Sequence, residues 1–342
     1  AVSYNIVDGL TYKQSIGLSK RFKNYTGLYI DLEGLYAFSR ERFMFKASAS
    51  YDYWPEKQAR IYVSGGIKSM DLNNNSGLRT LDNEFTTLLF RKNFINFYEN
   101  RYVNVSNSFE IINGLKSIIG VEYSSRKQLE NTTDYSFFYK NSREFRPNIP
   151  LQNPYIAADN SLVANHDATI INVGISYTPQ MYFRKYGRAK RSVRSDYPTF
   201  SLIWRKGIKN IFNSQSDFDQ LEFSIFQDFN LGVMNTFRYS ATVGWFPNNN
   251  SMHFRDFKHF SIKESELLFS PFTRSFNTLT TYMPSTNKWY INASARYNSP
   301  YLLLKYIPLL DRTMIQENLY FSYLTTPYVK NVTEIGYGLT NI

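Results

Sequence analysis

Strict alternation of apolar and polar residues over long runs constrains the fold of this chain more than any other feature. The run from Phe43 to Tyr53 places aromatic and small side chains on one face and Lys46, Ser50 and Asp52 on the other. A period of two indicates a strand, because successive side chains of a strand point to opposite faces. The sequence therefore predicts an all-β fold, and the same alternation recurs in the runs 171–177, 237–245 and 289–297.

The length of these runs and the placement of their aromatic residues indicate strands that cross a membrane. Strands of soluble proteins average roughly 5–6 residues, whereas a tilted transmembrane strand needs about 9–11. The apolar faces often end in an aromatic residue, as at Phe237 and Trp245, and aromatic residues make up 18% of the chain. Transmembrane barrels carry aromatic girdles at both interfaces. We therefore predict a transmembrane antiparallel up-and-down β-barrel, integral to the outer membrane, with a soluble β-sandwich or β-helix as the alternative.

Helical membrane spans are excluded by the hydropathy of the chain. The mean hydropathy is −0.40, and the longest apolar stretch, 301–310, is interrupted by Lys305 and Pro308. A transmembrane helix needs about 20 predominantly apolar residues. Segment 81–98 has helical periodicity instead, which predicts a short helix at the rim of the barrel.

Fourteen strands are predicted, and their alternating directions divide the connections between two ends. The strands are 2–8, 10–22, 28–39, 43–53, 60–70, 101–111, 115–125, 168–180, 199–209, 219–230, 235–246, 287–298, 315–324 and 331–342. The three longest connections, 71–100, 126–167 and 247–286, all fall at one end. External loops of outer-membrane barrels are longer than their periplasmic turns, so this end is predicted to be extracellular.

Five short segments carry a resemblance to a known family. They are YNIVDGL at 4–10, FRDFKHF at 254–260, STNKWY at 285–290, KYIPLL at 305–310 and EIGYGLTNI at 334–342. The chain resembles a Bacteroidota outer-membrane barrel family whose members carry the barrel behind a carboxypeptidase-regulatory-like periplasmic domain. That family is related to the BamA-like outer-membrane assembly-factor superfamily. The resemblance implies sixteen strands, so residues 1–342 would be one barrel domain without the periplasmic domain and the last strands.

The same resemblance points to one loop residue inside the barrel. In the superfamily the sixth external loop folds into the lumen and carries an Arg-Gly-aromatic motif. The corresponding loop here is 247–286, and its nearest match is Arg274-Ser275-Phe276. Serine in place of glycine weakens the match, because glycine permits a closer backbone approach. Arg274 is therefore a candidate luminal residue, with an exposed loop arginine as the alternative.

The formal charge of +11 is partly concentrated in the connection 181–198. No nucleic-acid motif accompanies the charge, so no nucleic-acid partner is predicted. A solvated segment is the plainer interpretation of this connection. The functional alternative is a periplasmic rim that docks to the phosphates of outer-membrane lipids or to an acidic partner. Its candidate residues are Arg184, Lys185, Arg188, Lys190, Arg191 and Arg194.

The sequence offers little for catalysis or for binding a metal or cofactor. Cysteine is absent, which excludes thiolate ligands and nucleophiles. His253 and His259 lie six residues apart in one polar loop, which is fewer ligands than a metal site requires. His166 lies near Ser161 and Asp167, but no nucleophile motif surrounds them. We predict no enzymatic activity, no metal and no cofactor.

The leading functional prediction is a non-enzymatic barrel for protein export, barrel assembly or envelope transport. It would act as a subunit of a larger complex, with outer-membrane lipids and other envelope proteins as partners. A passive or substrate-specific pore is the first alternative, which Lys46, Arg238 and Arg296 on polar strand faces favour. An outer-membrane hydrolase is the second.

Overall fold

The computed structural model describes residues 1–73, 77–264, 275–308 and 315–340, and fourteen of its strands form one antiparallel sheet. Each strand between the two edges pairs with the previous and the next strand of this sheet, so the predicted up-and-down order of fourteen strands is confirmed. Two further strands, β9 and β10, form a separate hairpin. The strands are β1 (Val2–Asn5), β2 (Gly9–Arg21), β3 (Gly27–Ala37), β4 (Arg42–Trp54), β5 (Ala59–Asp71), β6 (Phe97–Ile112), β7 (Leu115–Gln128), β8 (His166–Tyr177), β9 (Tyr182–Tyr186), β10 (Ala189–Arg194), β11 (Thr199–Gly207), β12 (Asp217–Leu231), β13 (Asn235–Ser251), β14 (Trp289–Ser299), β15 (Gln316–Thr325) and β16 (Val332–Thr340).

Helices are short and lie in the connections. The helix α1 (Thr80–Phe90) confirms the first half of the helix predicted over 81–98, whereas residues 97 and 98 already belong to β6. The second helix, α2 (Pro154–Ala158), follows β7. Among the helices of the described residues, none combines the length and the apolar character that a membrane span requires. Single 3₁₀ turns occupy Pro55–Lys57, Asn160–Val163, Phe254–Asp256 and Leu304–Tyr306.

The two faces of the sheet differ in what covers them. We call the connection between β13 and β14, residues 252–288, the inner loop. Its described parts, 252–264 and 275–288, pack against one face of the sheet, which we call the inner face. The opposite face is the outer face. Its middle is apolar and uncovered, because Val63 in β5 lies opposite Val105 in β6, which lies opposite Val121 in β7. The exposed apolar band includes Ile16, Leu32, Val63, Val105, Val121, Ile175, Leu202, Phe223, Val243, Ile291, Phe321 and Ile335.

Aromatic pairs bound this band on neighbouring strands. Trp245 in β13 lies opposite Trp289 in β14, and Phe237 lies opposite Tyr297. Eight residues separate the two pairs, which corresponds to about 27 Å along a strand. The apolar band of a transmembrane barrel is about 25 Å tall. The outer face therefore has the dimensions and the aromatic borders of a surface that faces lipid.

The sheet curves around the inner loop. The hydroxyl of Tyr282 in this loop donates to Asp71 at the end of β5 over 2.8 Å, and the backbone N–H of Asn277 donates to Glu334 in β16 over 2.9 Å. β5 and β16 are nine strand spacings apart, which would separate them by about 43 Å in a flat sheet. Asn277 and Tyr282 are five positions apart in the sequence, and five steps of extended chain span at most about 18 Å. One short segment therefore touches both strands only because the sheet is strongly curved.

The edges of the sheet are β1 and β16. Within the described residues, these two strands do not pair with each other, so the sheet remains open between them. The first strand is shorter than predicted, because β1 ends at Asn5 and the prediction extended to residue 8. The sixteen strands implied by the resemblance stay a prediction.

The long connections meet at one end of the sheet, as the alternating strand directions predict. The backbone N–H of Asn96, after α1, donates to the Tyr282 hydroxyl over 2.9 Å. The amide of Asn153, before α2, donates to the carbonyl of Ser285 over 3.1 Å. These bonds join the connections that follow β5 and β7 to the inner loop. We call this the loop end; its extracellular position stays a prediction.

Candidate functional site

The inner loop is anchored to the inner face by a cluster of aromatic side chains. Phe254, Phe260 and Tyr282 are almost completely buried, and they belong to one apolar cluster with Phe218 in β12 and Tyr290 in β14. The Phe260 ring meets the Tyr290 ring edge-on, with 5.5 Å between their centroids. The loop therefore has a hydrophobic core shared with the sheet.

A buried ion pair fixes the centre of the inner loop. The carboxylate of Asp256 accepts two hydrogen bonds from the guanidinium of Arg126 in β7, over 2.5 and 3.1 Å, and one from Arg205 in β11 over 3.3 Å. The side chains of Arg126 and Asp256 are 2% and 1% exposed. Burial alone would raise the pKa of the Asp256 carboxyl, but the neighbouring guanidinium groups hold that pKa below its ordinary value. Asp256 is therefore ionised, and it links two strands that lie on either side of β8.

A second charged contact lies two residues further along the loop. The ammonium of Lys258 donates a hydrogen bond to the carboxylate of Glu222 in β12. The same carboxylate accepts a hydrogen bond from the hydroxyl of Tyr290. The same ammonium lies 5.1 Å from the centre of the Tyr290 ring. Because Asp256 binds cations of the sheet and Lys258 binds an anion, the loop and the inner face are complementary in charge.

The two loop histidines have structural partners. The Nε2 atom of His259 lies 2.9 Å from the carbonyl oxygen of Phe254, and its Nδ1 atom lies 2.8 Å from the Ser285 hydroxyl. A carbonyl only accepts, so the proton is on Nε2, and Nδ1 accepts from Ser285. The Nδ1 atom of His253 accepts from the backbone N–H of Arg255 over 3.2 Å. Among the described residues, no group of three or more potential ligands could hold a metal ion.

Acidification is expected to loosen the inner loop. Burial, together with the nearby charge of Arg255, lowers the pKa of His259 to about 3. The released histidine, with a pKa near 6.5, takes up its proton first as pH falls. The docked state therefore loses about 1.4 kcal/mol per pH unit between about pH 6.5 and 3. Hydrogen exchange of residues 252–264 at pH 7, 6 and 5, corrected for the intrinsic rate, measures this loss. His259→Gln should flatten the pH dependence, and an unchanged slope would contradict it.

The other end of the sheet is crossed by the hairpin of β9 and β10, residues 182–194, which we call the basic hairpin. Gln58, after the 3₁₀ turn that follows β4, donates to the Ser192 hydroxyl over 3.0 Å. Gly187 at the tip has a φ of 57° and lies against the ring of Tyr25. The hairpin follows β8 in the chain, and these contacts show that it extends past β7, β6, β5 and β4 to the β2–β3 turn.

Of the candidate residues predicted from the sequence, the structure describes the six rim cations and not the luminal arginine. Arg274 lies outside the described residues. All six cations of the predicted rim lie on the basic hairpin. Arg188 is 3.5 Å from Glu56, with both side chains exposed, and Lys190 is bonded to Glu110. The remaining four form no ion pair with any residue that the structure describes: Arg184, Lys185, Arg191 and Arg194.

The residues that hold the inner loop are not among those predicted from the sequence. The alternation of polar and apolar residues assigns Arg126, Arg205 and Glu222 to the inner face of their strands. It does not identify the residues that bind them. Asp256 lies within the segment 254–260 that carries the resemblance. The loop therefore meets the sheet through a carboxylate that binds two strand arginines, whereas the resemblance pointed to a loop arginine.

His166 has a serine partner that its sequence neighbours did not reveal. Its Nε2 atom lies 2.8 Å from the hydroxyl of Ser216, which precedes β12. Ser216 is completely buried. A nucleophile must reach its substrate, so this pair as it stands serves to join two segments.

Comparisons with known proteins give similar solved structures but no curated relative. No curated protein matches the chain. The chain is similar to BamA from Haemophilus ducreyi lacking POTRA domains 1-3, with 12% identity, a TM-score of 0.48 and coverage of 95% of this chain and 56% of that chain. It is also similar to CdiB from Acinetobacter baumannii, with 10% identity, a TM-score of 0.44 and coverage of 99% and 51%. The chain thus spans about half the length of these structures.

A family model covers nearly the whole chain. The model for the C-terminal domain of a family of unknown function (DUF5686) matches residues 1–339. The match includes every strand of the curved sheet except the last residue of β16, together with the inner loop and the basic hairpin. The chain therefore belongs to the family of unknown function DUF5686, as its C-terminal domain.

Proposed function

We propose that this chain is an integral outer-membrane β-barrel that takes part in protein export, barrel assembly or envelope transport. In this proposal it is not an enzyme, and it works as a subunit of a complex with other envelope proteins. The Bacteroidota origin and the preceding carboxypeptidase-regulatory-like domain belong to the same proposal. The observation that carries it is the curved sheet with an apolar outer face and a polar inner face on which a loop is docked.

The docked inner loop favours this function over a passive pore. A general pore needs a continuous water path, whereas residues 252–264 and 275–288 pack against the inner face and the basic hairpin crosses the other end. Two of the cations that favoured a pore also have partners. Arg238 is paired with Asp228, and Arg296 donates to Asn318 over 2.6 Å. A substrate-specific channel would require the inner loop to move.

Membrane insertion is tested by placing a charge on the outer face. Val105→Arg is expected to destabilise the inserted barrel by roughly 2–4 kcal/mol, because the side chain would face the hydrocarbon region near the bilayer midplane. Asn104→Arg is the matched control, since its side chain points to the polar inner face. Folding into lipid vesicles, followed by the urea midpoint, measures the difference. Equal midpoints for the two variants would argue against a lipid-facing outer face.

The proposed role is tested by purifying the tagged full-length protein from native outer membranes in mild detergent. We expect export or assembly components to copurify in fixed stoichiometry, as identified by mass spectrometry. A matched sample with Val105→Arg should lose these components together with the membrane localisation. A solitary barrel that conducts reproducibly in planar bilayers would instead support the pore.

A further inference from the structure

A cavity of about 810 Å³ lies between the basic hairpin and the turn end of β2 to β6. Its walls include Tyr29 in β3, Arg60 in β5 and Ser108 in β6 on the sheet side, and Tyr186 and Arg191 on the hairpin side. We propose that this cavity is a binding site for a soluble, phosphate-bearing anion. The proposal is independent of the proposed function, because it concerns a different end of the sheet from the inner loop.

Cations predominate in the walls of the cavity. Arg21, Arg60, Lys190 and Arg191 line it, against the single carboxylate of Asp52. Arg60 binds Asp52 through two hydrogen bonds, over 2.5 and 3.1 Å, so that carboxylate is already neutralised. The walls of the cavity therefore carry a net positive charge.

Two of these cations have no counterion in the part of the chain that the structure describes. Lys190 is bonded to Glu110, outside the cavity. Arg21 and Arg191 form no ion pair with a described residue. Arginine presents a planar set of donors that matches phosphate geometry. These two guanidinium groups are therefore the groups that a bound phosphate would meet.

The basic hairpin carries like charges in direct opposition, which is unfavourable without an anion. Arg191 pairs with Arg184 across the hairpin, and Lys190 pairs with Lys185. Like charges directly opposite each other destabilise a strand pair. Glu110 relieves the lysine pair, whereas the arginine pair has no such partner among the described residues. An anion held by Arg191 would remove this repulsion and stabilise the hairpin.

The remaining walls can also hold an organic group attached to the phosphate. The cavity volume falls within the range of about 300–1,000 Å³ that is usual for small-molecule sites. Tyr25, Tyr29 and Tyr186 line it, and they provide apolar ring surfaces together with hydroxyl donors. The strand residues in its walls, among them Tyr29, Arg60 and Ser108, belong to the inner face, opposite to the apolar outer face. A soluble ligand therefore fits better than a lipid headgroup.

Calorimetric titration of the full-length protein in neutral detergent with pyrophosphate tests the proposal. We expect saturable binding that Arg191→Gln and Arg21→Gln each weaken by about tenfold or more, the equivalent of losing about 1.4 kcal/mol. Arg184→Gln is the matched control, because it removes the same charge from the same hairpin pair but does not line the cavity. It should leave the affinity within about threefold of the unaltered protein.

Three outcomes would overturn the proposal. Pyrophosphate could fail to bind, or Arg184→Gln could weaken binding as much as Arg191→Gln, which would indicate a general effect of the net charge. Binding could also be seen only with phosphatidylglycerol vesicles and not with pyrophosphate, which would assign the cations to a lipid surface. Unchanged thermal unfolding of the three variants ensures that a lost signal reports binding and not misfolding.

Discussion

Asp256→Asn is expected to release the inner loop from the inner face while the sheet remains folded. The change removes the charge that neutralises Arg126, whose side chain is 2% exposed. Breaking a buried pair by removing one partner costs about 3–5 kcal/mol, because the other charge stays buried and unpaired. Most of this cost falls on the docking of the loop, since Asp256 belongs to the loop and Arg126 to the sheet.

A single introduced thiol measures the release, because the chain contains no cysteine. Thr281→Cys places the thiol in the inner loop at a position that is 4% exposed. In the Asp256→Asn background, its labelling by a maleimide should accelerate about 100-fold or more, which is the factor that corresponds to about 3 kcal/mol. Planar-bilayer conductance should rise in parallel if the released loop clears the path along the inner face.

The matched control for this prediction is Asp228→Asn. Asp228 also pairs with an arginine, Arg238, but the side chains of that pair are 37% and 42% exposed. Exposed pairs contribute about 0–1 kcal/mol, so labelling should change little. Adding Arg126→Met to Asp256→Asn should slow labelling again, since it removes the unpaired charge. Equal labelling in the two aspartate variants would refute the assigned role of Asp256.

The fourteen strands could be predicted because their signal is local. In β13, the alternation of Phe237, Tyr239, Ala241, Val243 and Trp245 with polar residues depends on the geometry of the strand alone. The position of the inner and outer faces follows from the same alternation. Chain order then gives the neighbours, because consecutive strands of an up-and-down sheet pair with each other. The grouping of the long connections at one end required no further information.

The contacts of the inner loop could not be predicted, because they join residues that are far apart in sequence. Asp256 and Arg126 are separated by 130 residues, and alternation does not say which inner-face arginine meets which loop carboxylate. The basic hairpin was visible as a charged segment. Its two strands were not predicted, because pairing them places Arg184 directly opposite Arg191. Like charges in that position destabilise a strand pair.

Gly244→Ala is expected to destabilise the inner face, because a buried tyrosine ring already fills the space that the added methyl group would occupy. A Cβ atom at position 244 would lie 2.0–2.4 Å from the ring of Tyr290, which covers this glycine from the opposing position in β14. Gly244 is paired on both sides, with Glu222 and Tyr290, so the backbone has little freedom to move. The Tyr290 ring must therefore move away from Gly244, and it would lose its packing against Phe260. Displacing a fully buried aromatic residue costs about 3–5 kcal/mol.

The urea midpoint of the protein in detergent and the hydrogen exchange of residues 252–264 measure this effect together. In Gly244→Ala the urea midpoint should fall and the exchange should become faster, because Tyr290 links the sheet to Glu222 and thereby to Lys258 of the inner loop. Gly34→Ala is the control, since its Cβ would lie 3.7 Å from the nearest ring, an ordinary contact. Adding Tyr290→Leu should recover part of the loss, because the two positions compete for the same space. If Gly244→Ala is as stable as Gly34→Ala, Tyr290 does not lie over Gly244, and the loop must be held by Asp256 and the aromatic cluster alone.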